Sequence, residues 1–140
     1  MENTILTSIV FDAEEIRKEV YAESACLALM GESGKRPEVI TADNRALLGL
    51  YMERAFIELS AKLSGYIVGE LAFPDEDSLL QMSVALPAGV SSSSFRRIAE
   101  SALASNVLAA CYAAQPAVSA IYSERGAACI GRLLHLLCRR

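Results

Sequence analysis

Apolar side chains recur every three or four residues over four stretches of the chain, the spacing that places them on one face of an α-helix. The first helix is predicted to begin at Ala13, with Asp12 as N-cap and Glu15 as its capping-box partner, and to end at Gly31. The second helix, with Thr41 as a possible cap, shows the most regular pattern. Its predicted inward face consists of Leu48, Tyr51, Met52, Ala55, Phe56, Leu59 and Leu63.

Two further helices are predicted after residue 90. The serines from Ser91 to Ser94 offer N-caps for the third helix, and Pro116 suits the first turn of the fourth. Facing stripes of small residues let two helix backbones approach closely, so we expect a tight antiparallel hairpin rather than a membrane span. The stripes are Ser101, Ser105, Ala109 and Ala113 on the third helix, and Ser123, Ala127 and Gly131 on the fourth.

One segment has the two-residue period of a β-strand instead. Leu80, Met82, Val84 and Leu86 alternate with less apolar residues. A single strand is not stable alone, and the run Thr4–Phe11 is either its partner or an extended arm that pairs with a neighbouring subunit. The predicted fold class is a mainly α, four-helix domain with a short β element, spanning residues 1–140 as one domain.

Composition and charge narrow the functional classes. The chain is 53% hydrophobic and 21% charged, which provides enough apolar surface to offset the entropy of ordering a core. A net charge of −4 argues against a general nucleic-acid binder, because phosphate binding uses clustered Lys and Arg. Residues 1–70 carry 12 acidic and 7 basic side chains, whereas residues 96–140 carry 2 acidic and 6 basic ones. The two ends can therefore attract each other, or another copy of the chain.

The cysteines and the start of the chain bear on the compartment. The chain begins with an acidic residue at Glu2, where a secretory signal is basic. The four cysteines form no CxxC pair, so Cys26, Cys111, Cys129 and Cys138 are expected to be reduced thiols in the core. We expect a cytoplasmic protein, or a virion protein if the chain is of phage origin.

Candidate catalytic or metal-binding groups are few. His135 and Cys138 share one helical face, but two ligands do not make a zinc site. The run Gly31–Lys35 lacks the first glycine of a phosphate loop. The paired acids at 14–15 and 75–77 are expected to be solvated, which leaves their pKa values unsuited to acid–base catalysis. We therefore expect no enzyme activity, no catalytic residue, no metal and no cofactor.

A basic strip is the polar feature that remains. Arg125, Arg132 and Arg139 are spaced by seven along one side of the last helix, and Arg140 follows them. The strip is either a solvated face or a docking surface for an acidic partner, such as the acidic first helix of another copy. No specific nucleic-acid or membrane partner is expected.

The order of elements resembles that of small helical proteins of the head–tail connector or completion type in tailed phages and prophages. The resemblance is carried by the helix Tyr51–Leu63 continuing to Ile67, the strand-like Leu80–Pro87, a long helix, then Pro116, Tyr122 and the closing Leu133–Arg140. It implies an assembly part that works as a ring or adaptor and has no active site.

The expected function is that of a non-enzymatic structural or assembly protein, acting as an oligomeric adaptor. Its expected partners are further copies of itself and other structural proteins of the same assembly. The alternative is a small-molecule-binding helical domain, in which Tyr51, Phe56, Tyr112 and Tyr122 would line a cavity between helices.

Overall fold

The computed structural model describes residues 4–30, 40–69 and 80–138. Within these ranges the chain forms four α-helices and one antiparallel pair of strands, which confirms the predicted fold class. In chain order the elements are β1 (Thr4–Phe11), α1 (Ala13–Met30), a 3₁₀ turn (Ala42–Asn44), α2 (Arg45–Lys62), β2 (Leu80–Pro87), α3 (Ser92–Cys111) and α4 (Pro116–Leu137).

The start of α1 is capped as predicted by one residue and not by the other. Asp12 Oδ1 accepts a hydrogen bond from the backbone N–H of Glu14 at 2.9 Å. The N–H of Asp12 itself donates to Glu100 Oε2 of α3 at 3.2 Å, and Glu15 instead pairs with Lys18. The capping-box prediction for Glu15 is therefore wrong, because a carboxylate from the neighbouring helix α3 takes that place.

The inward face of α1 is partly polar. Ile16 and Val20 of this helix are buried, whereas Leu29 near its end is 80% exposed. Arg17 and Ser24 are buried instead, because they share the helical face of Ile16 and Val20 at spacings of three, four and seven residues. Two polar side chains thus lie between α1 and the rest of the fold.

The second helix confirms the predicted inward face, with Tyr51 half-buried and the other six residues buried. Its start is different from the prediction. Thr41 Oγ1 accepts a hydrogen bond from the N–H of Asp43 at 3.4 Å, and the Thr41 N–H donates to Asn44 Oδ1 at 3.0 Å. Thr41 therefore caps the short 3₁₀ turn, and the α-helix begins only at Arg45.

The third and fourth helices form the predicted hairpin and start where expected. Gly89 turns the chain after β2 with a φ of +90°, a conformation that favours glycine. Ser91 Oγ then accepts a hydrogen bond from the N–H of Ser94 at 3.3 Å, and Pro116 is the first residue of α4. Near the turn of the hairpin, Ser119 Oγ donates to the carbonyl oxygen of Ala109 at 2.8 Å.

A close contact between the hairpin helices lies beside the stripe that was predicted for α4. Gly126 is buried, and a Cβ at this position would lie 2.2 Å from Asn106 Oδ1 of α3. Ser123, Ala127 and Gly131 are exposed, so the prediction that they face α3 is wrong. The buried face is set instead by the larger apolar residues of α4, and Gly126 lies among them.

The two strands pair within one chain, which selects the internal alternative for residues 4–11. Thr7 lies opposite Val84, and Ile9 lies opposite Met82. The other side of β2 is bonded to residues 66–68, through the N–H of Val68 to Ser83 and the N–H of Ala85 to Tyr66, both at 2.9 Å. β2 is thus the central strand, and β1 lies at an edge.

The buried apolar residues of all these elements form one cluster. Phe11 of β1 and Phe56 of α2 meet edge to face in it, with ring centroids 5.9 Å apart. In the ranges that the structure describes, none of the helices is sufficiently long and apolar to cross a membrane.

Candidate interaction surfaces

The two described residues of the predicted basic strip lie in different surroundings. Arg125 Nη1 lies 3.3 Å from Glu23 Oε2 of α1, and its guanidinium lies 5.2 Å from the centre of the Tyr122 ring. The acidic first helix and the basic last helix therefore meet here within one chain. Arg139 and Arg140 lie outside the described residues, and a docking role for them stays a prediction.

Arg132, the middle residue of the predicted strip, borders an open groove of about 340 Å³ between α3 and α4. His135 lines the same groove, and its side chain is exposed. The other lining residues are Ile98, Ala128, Gly131 and Leu136. Arg132 places one charged side chain at the rim of this groove. Among the described residues, no carboxylate, hydroxyl or thiol side chain lines the groove.

A buried polar junction holds α1 against the α3–α4 hairpin. Ser24 Oγ lies 2.8 Å from Tyr112 Oη, and it accepts a hydrogen bond from the N–H of Ile40 at 2.6 Å. Both side chains are almost fully buried, so each hydrogen bond replaces one that water would otherwise make. The junction therefore serves the fold, since it satisfies the polar groups of three segments at once.

A second pair of residues extends this junction to the surface. The Tyr122 ring stacks on Tyr112, and Tyr122 Oη donates to Glu23 Oε2 at 3.1 Å. Burial, with the neighbouring carboxylate of Glu23, raises the pKa of Tyr122 to about 12. The hydroxyl group therefore remains a protonated donor near neutral pH and is not available as a base.

An ionic bridge joins α1 to the start of α2. Glu14 Oε1 contacts Arg17 Nη2 and also lies 2.9 Å from Arg45 Nη1. The hydrogen bond from Arg17 is the main reason that the pKa of Glu14 lies below its usual value. Arg17 is buried and its Nε has no hydrogen-bond partner, so Glu14 is the main compensation for its charge among the described residues.

Acidic side chains line the junction between α1 and α3. Burial and the nearby Glu23 raise the pKa of Glu19, and burial is also the main reason that the pKa of Glu100 is raised. Glu100 Oε1 lies 3.9 Å from Arg96 Nε, a separation at which the ion pair is weak. These carboxylates repel one another, and within the described ranges no three potential ligands are placed to hold a metal ion.

The cysteines are free thiols, but two of them do not lie in the core. Cys26 and Cys138 are exposed, which corrects the prediction for these two, while Cys111 and Cys129 are half-buried. Burial raises the pKa of Cys111 to about 11, which keeps this thiol protonated and unreactive near neutral pH. Cys138 Sγ lies 2.7 Å from Tyr66 Oη.

The outer edge of β1 offers backbone hydrogen-bonding groups. Ser83 and Ala85 direct theirs to residues 66–68, so the alternate residues of β2, such as Val84, bond to β1. Thr7 lies opposite Val84, so the backbone groups of Thr7 are hydrogen-bonded to β2. The same holds for every second residue of β1 counted from Thr7. The remaining residues of β1 direct their N–H and C=O groups outward, and no described residue accepts or donates there. These residues are Thr4, Leu6, Ser8 and Val10.

Large apolar side chains remain exposed on the same strand. Ile5 is 62% exposed and Leu6 is 61% exposed, while Val10 is exposed to a lesser degree. No residue of Thr4–Phe11 is charged, and none is proline. Strands at sheet edges are usually protected against association by charge, proline or a covering segment.

A second set of exposed apolar residues lies on the outer side of α2. Leu47, Leu50 and Ile57 are each nearly half exposed. They lie opposite the buried face of this helix, so α2 is apolar on two sides. Sequence reasoning passed over this face, although the residues are three and seven positions apart and fall outside the predicted inward face.

Comparisons with known proteins do not assign the chain to a family. No protein family, curated protein or solved structure was found to match it. The function is therefore inferred from the surfaces just described.

Proposed function

We propose that the protein is a non-enzymatic structural protein that works by associating with copies of itself. The proposal rests on the positions of the exposed large apolar residues. Of nine such residues in the described ranges, three lie on β1 and three on the outer side of α2. Single exposed apolar residues are ordinary, but sets on one strand and on one helix face are typical of surfaces that become covered.

The polar residues support the same proposal by what they do in the fold. Tyr122 and Arg125 are joined to Glu23, and Ser24 is joined to Tyr112. These contacts hold helices together. Among the described residues, the groove between α3 and α4 is lined by one arginine and one histidine, with no carboxylate, hydroxyl or thiol side chain beside them. A role as an adaptor beside other structural proteins, in the cytoplasm or in a virion, is the form of this proposal that the connector resemblance suggests.

The alternative, a small-molecule-binding domain, receives less support. It requires the aromatic residues to line a cavity, whereas Phe56 packs on Phe11 and Tyr112 stacks on Tyr122. Only Tyr51 among the four is no more than half-buried. A thermal-shift screen tests this alternative, because a ligand that binds the folded state raises the unfolding midpoint.

The proposal is tested by sedimentation equilibrium of the full chain across the micromolar range, at low and at high salt. We expect a reversible oligomer whose affinity changes little with salt, because apolar and backbone contacts are screened less than charges. An oligomer that dissociates at high salt would instead indicate the head-to-tail charge attraction between acidic and basic ends. A monomer under all conditions would overturn the proposal.

A further inference from the structure

We infer that the covering partner of the β1 edge is the β1 strand of a second copy, paired antiparallel about a two-fold axis through Ser8. This inference rests on the proposed function and specifies the contact by which the copies associate. It starts from the hydrogen bonds that the edge requires, and it then uses the side chains to select the partner and the register.

The backbone of the edge defines the kind of partner. The outward N–H and C=O groups of Leu6, Ser8 and Val10 repeat along the strand at the spacing of a β-ladder. An extended strand satisfies all of them at once, whereas a helix or a small ligand does not, because its groups do not match this spacing. The partner of this edge is therefore a strand.

The side chains indicate which strand. The run Thr4–Phe11 has no charge, so two copies meet without electrostatic repulsion. Its exposed side chains are apolar or hydroxyl-bearing, and both types pair well with themselves across strands. A strand with charged residues would be a poorer match for this uncharged edge. Two-fold association through one shared patch is also the commonest form of self-association in soluble proteins.

The outward face selects the register. In an antiparallel pair, the side chains of directly opposite residues lie on the same face of the sheet. The residues of β1 whose backbone groups point to the edge must therefore lie opposite residues of the same set in the second copy. An axis through Ser8 places Leu6 opposite the second copy's Val10, and repeats this pair by symmetry. An axis through Thr7 would place Leu6 opposite a serine and Val10 opposite a threonine. Only the axis through Ser8 brings both exposed apolar residues of this face together.

The inward face is compatible with the same register. The axis through Ser8 places Thr7 opposite the second copy's Ile9, and it places Ile5 opposite Phe11. Ile5 is 62% exposed in the single chain, so it has surface that an added strand can cover, whereas Phe11 is already fully buried. The product is a continuous sheet across two copies, in which the exposed edges of both β1 strands disappear.

Two double variants test this register because they differ only in the sign of one charge. Leu6→Lys with Val10→Lys places like charges opposite each other in the dimer, and Leu6→Lys with Val10→Glu places opposite charges there. Leu6 is largely exposed and Val10 lies on the outward face, so both variants are expected to fold. Circular dichroism and a thermal melt establish that they do, and sedimentation equilibrium at low salt then compares their association.

We expect the Lys/Glu variant to associate at least about tenfold more tightly than the Lys/Lys variant, since each dimer holds two copies of the altered pair. A control, Leu29→Lys, should associate like the natural chain, because Leu29 is exposed on α1 and belongs neither to β1 nor to the outer face of α2. A second comparison, Leu50→Lys, places the charge on the outer face of α2.

The outcomes separate the inference from the proposed function. Tighter association of the Lys/Glu variant supports the β1 contact. Equal association of both double variants, with dissociation caused by Leu50→Lys, would overturn the inference and leave self-association standing on α2. Equal association with no effect of Leu50→Lys would overturn it as well. A natural chain that stays monomeric would overturn the proposed function itself.

Discussion

Two regions of the molecule differ in whether their polar groups are satisfied within one chain. One is the junction between α1 and the α3–α4 hairpin, and the other is the outer edge of β1. At the junction, Ser24, Tyr112 and the N–H of Ile40 satisfy one another in the interior. At the edge, backbone groups and the side chains of Ile5 and Leu6 remain open to water. The first region is satisfied within one chain, whereas no described residue pairs with the second. Under the proposed function, the helices stabilise the fold and the sheet edge is the surface on which association depends.

Truncation of one side chain at each end of β1 gives the largest expected contrast. Phe11 is fully buried, so Phe11→Ala should lower the free energy of unfolding by about 3–5 kcal/mol through lost contacts and a cavity. Ile5→Ala removes an exposed side chain from the same strand and should change it by less than about 0.5 kcal/mol.

Urea unfolding measures both changes, at a protein concentration low enough for the chain to be monomeric. A cost of Ile5→Ala close to that of Phe11→Ala would mean that this end of the strand is buried in the single chain. The contrast between a closed core and an open edge would then be wrong.

Two glycines of α4 should respond to alanine with opposite signs. Gly126→Ala requires the end of the Asn106 side chain to move, and we expect a loss at the low end of the range for overpacking, about 1 kcal/mol in the free energy of unfolding. Gly131 has no neighbour within 4 Å at the added carbon, and Gly131→Ala should gain about 0.5–1 kcal/mol from helix propensity.

Chemical denaturation of both variants checks this prediction, and Asn106→Ala combined with Gly126→Ala should recover part of the loss. If both glycine variants were equally stable, the close approach of α3 and α4 would not lie at Gly126.

These glycines show how far the sequence predicts the fold. Spacing along the chain predicted the hairpin, the inward face of α2 and the strand β2, whereas for the pairing of Thr4–Phe11 it left two alternatives open. It did not predict that Gly126, rather than Gly131, meets α3, since this depends on how one helix is rotated about its axis against the other. The same limit applies to the candidate surfaces: the edge position of β1 depends on residues 66–68, whose bonds to β2 no local pattern signals.

Removal of the hydroxyl group at Ser24 tests the closed junction. Ser24→Ala leaves the buried N–H of Ile40 without its partner, and this should cost about 1–3 kcal/mol in the free energy of unfolding. Ser123→Ala on the exposed side of α4 is the matched control and should stay within about 0.5 kcal/mol of the natural chain. Thermal or urea unfolding measures both, and similar small effects would show that water replaces the Ser24 hydroxyl.

The smallest expected effect concerns pH and Glu100. Its pKa in the folded state is raised above 4.5, chiefly by burial, so the folded protein holds this proton more tightly than the unfolded chain. The group therefore contributes to stability at low pH, and the contribution is lost as pH rises from 4.5 through the raised pKa. Glu100→Gln removes this dependence and keeps an oxygen that can accept from the N–H of Asp12.

Urea midpoints of the natural chain and of Glu100→Gln at about pH 4 and about pH 7 measure the effect. We expect the variant to become more stable relative to the natural chain at the higher pH. A change in the reverse direction would mean that the hydrogen bond from Asp12 outweighs burial at this carboxyl.

Amide hydrogen exchange along β1, followed as protein concentration is raised, tests the central claim most directly. In the single chain the N–H groups of Thr7 and Ile9 are bonded to β2, while those of Leu6, Ser8 and Val10 point outward, so protection should alternate along the strand. We predict that the outward amides become protected together as the protein associates. Association with these three amides still exchanging freely would contradict the account, because the copies would then meet somewhere other than the edge of β1.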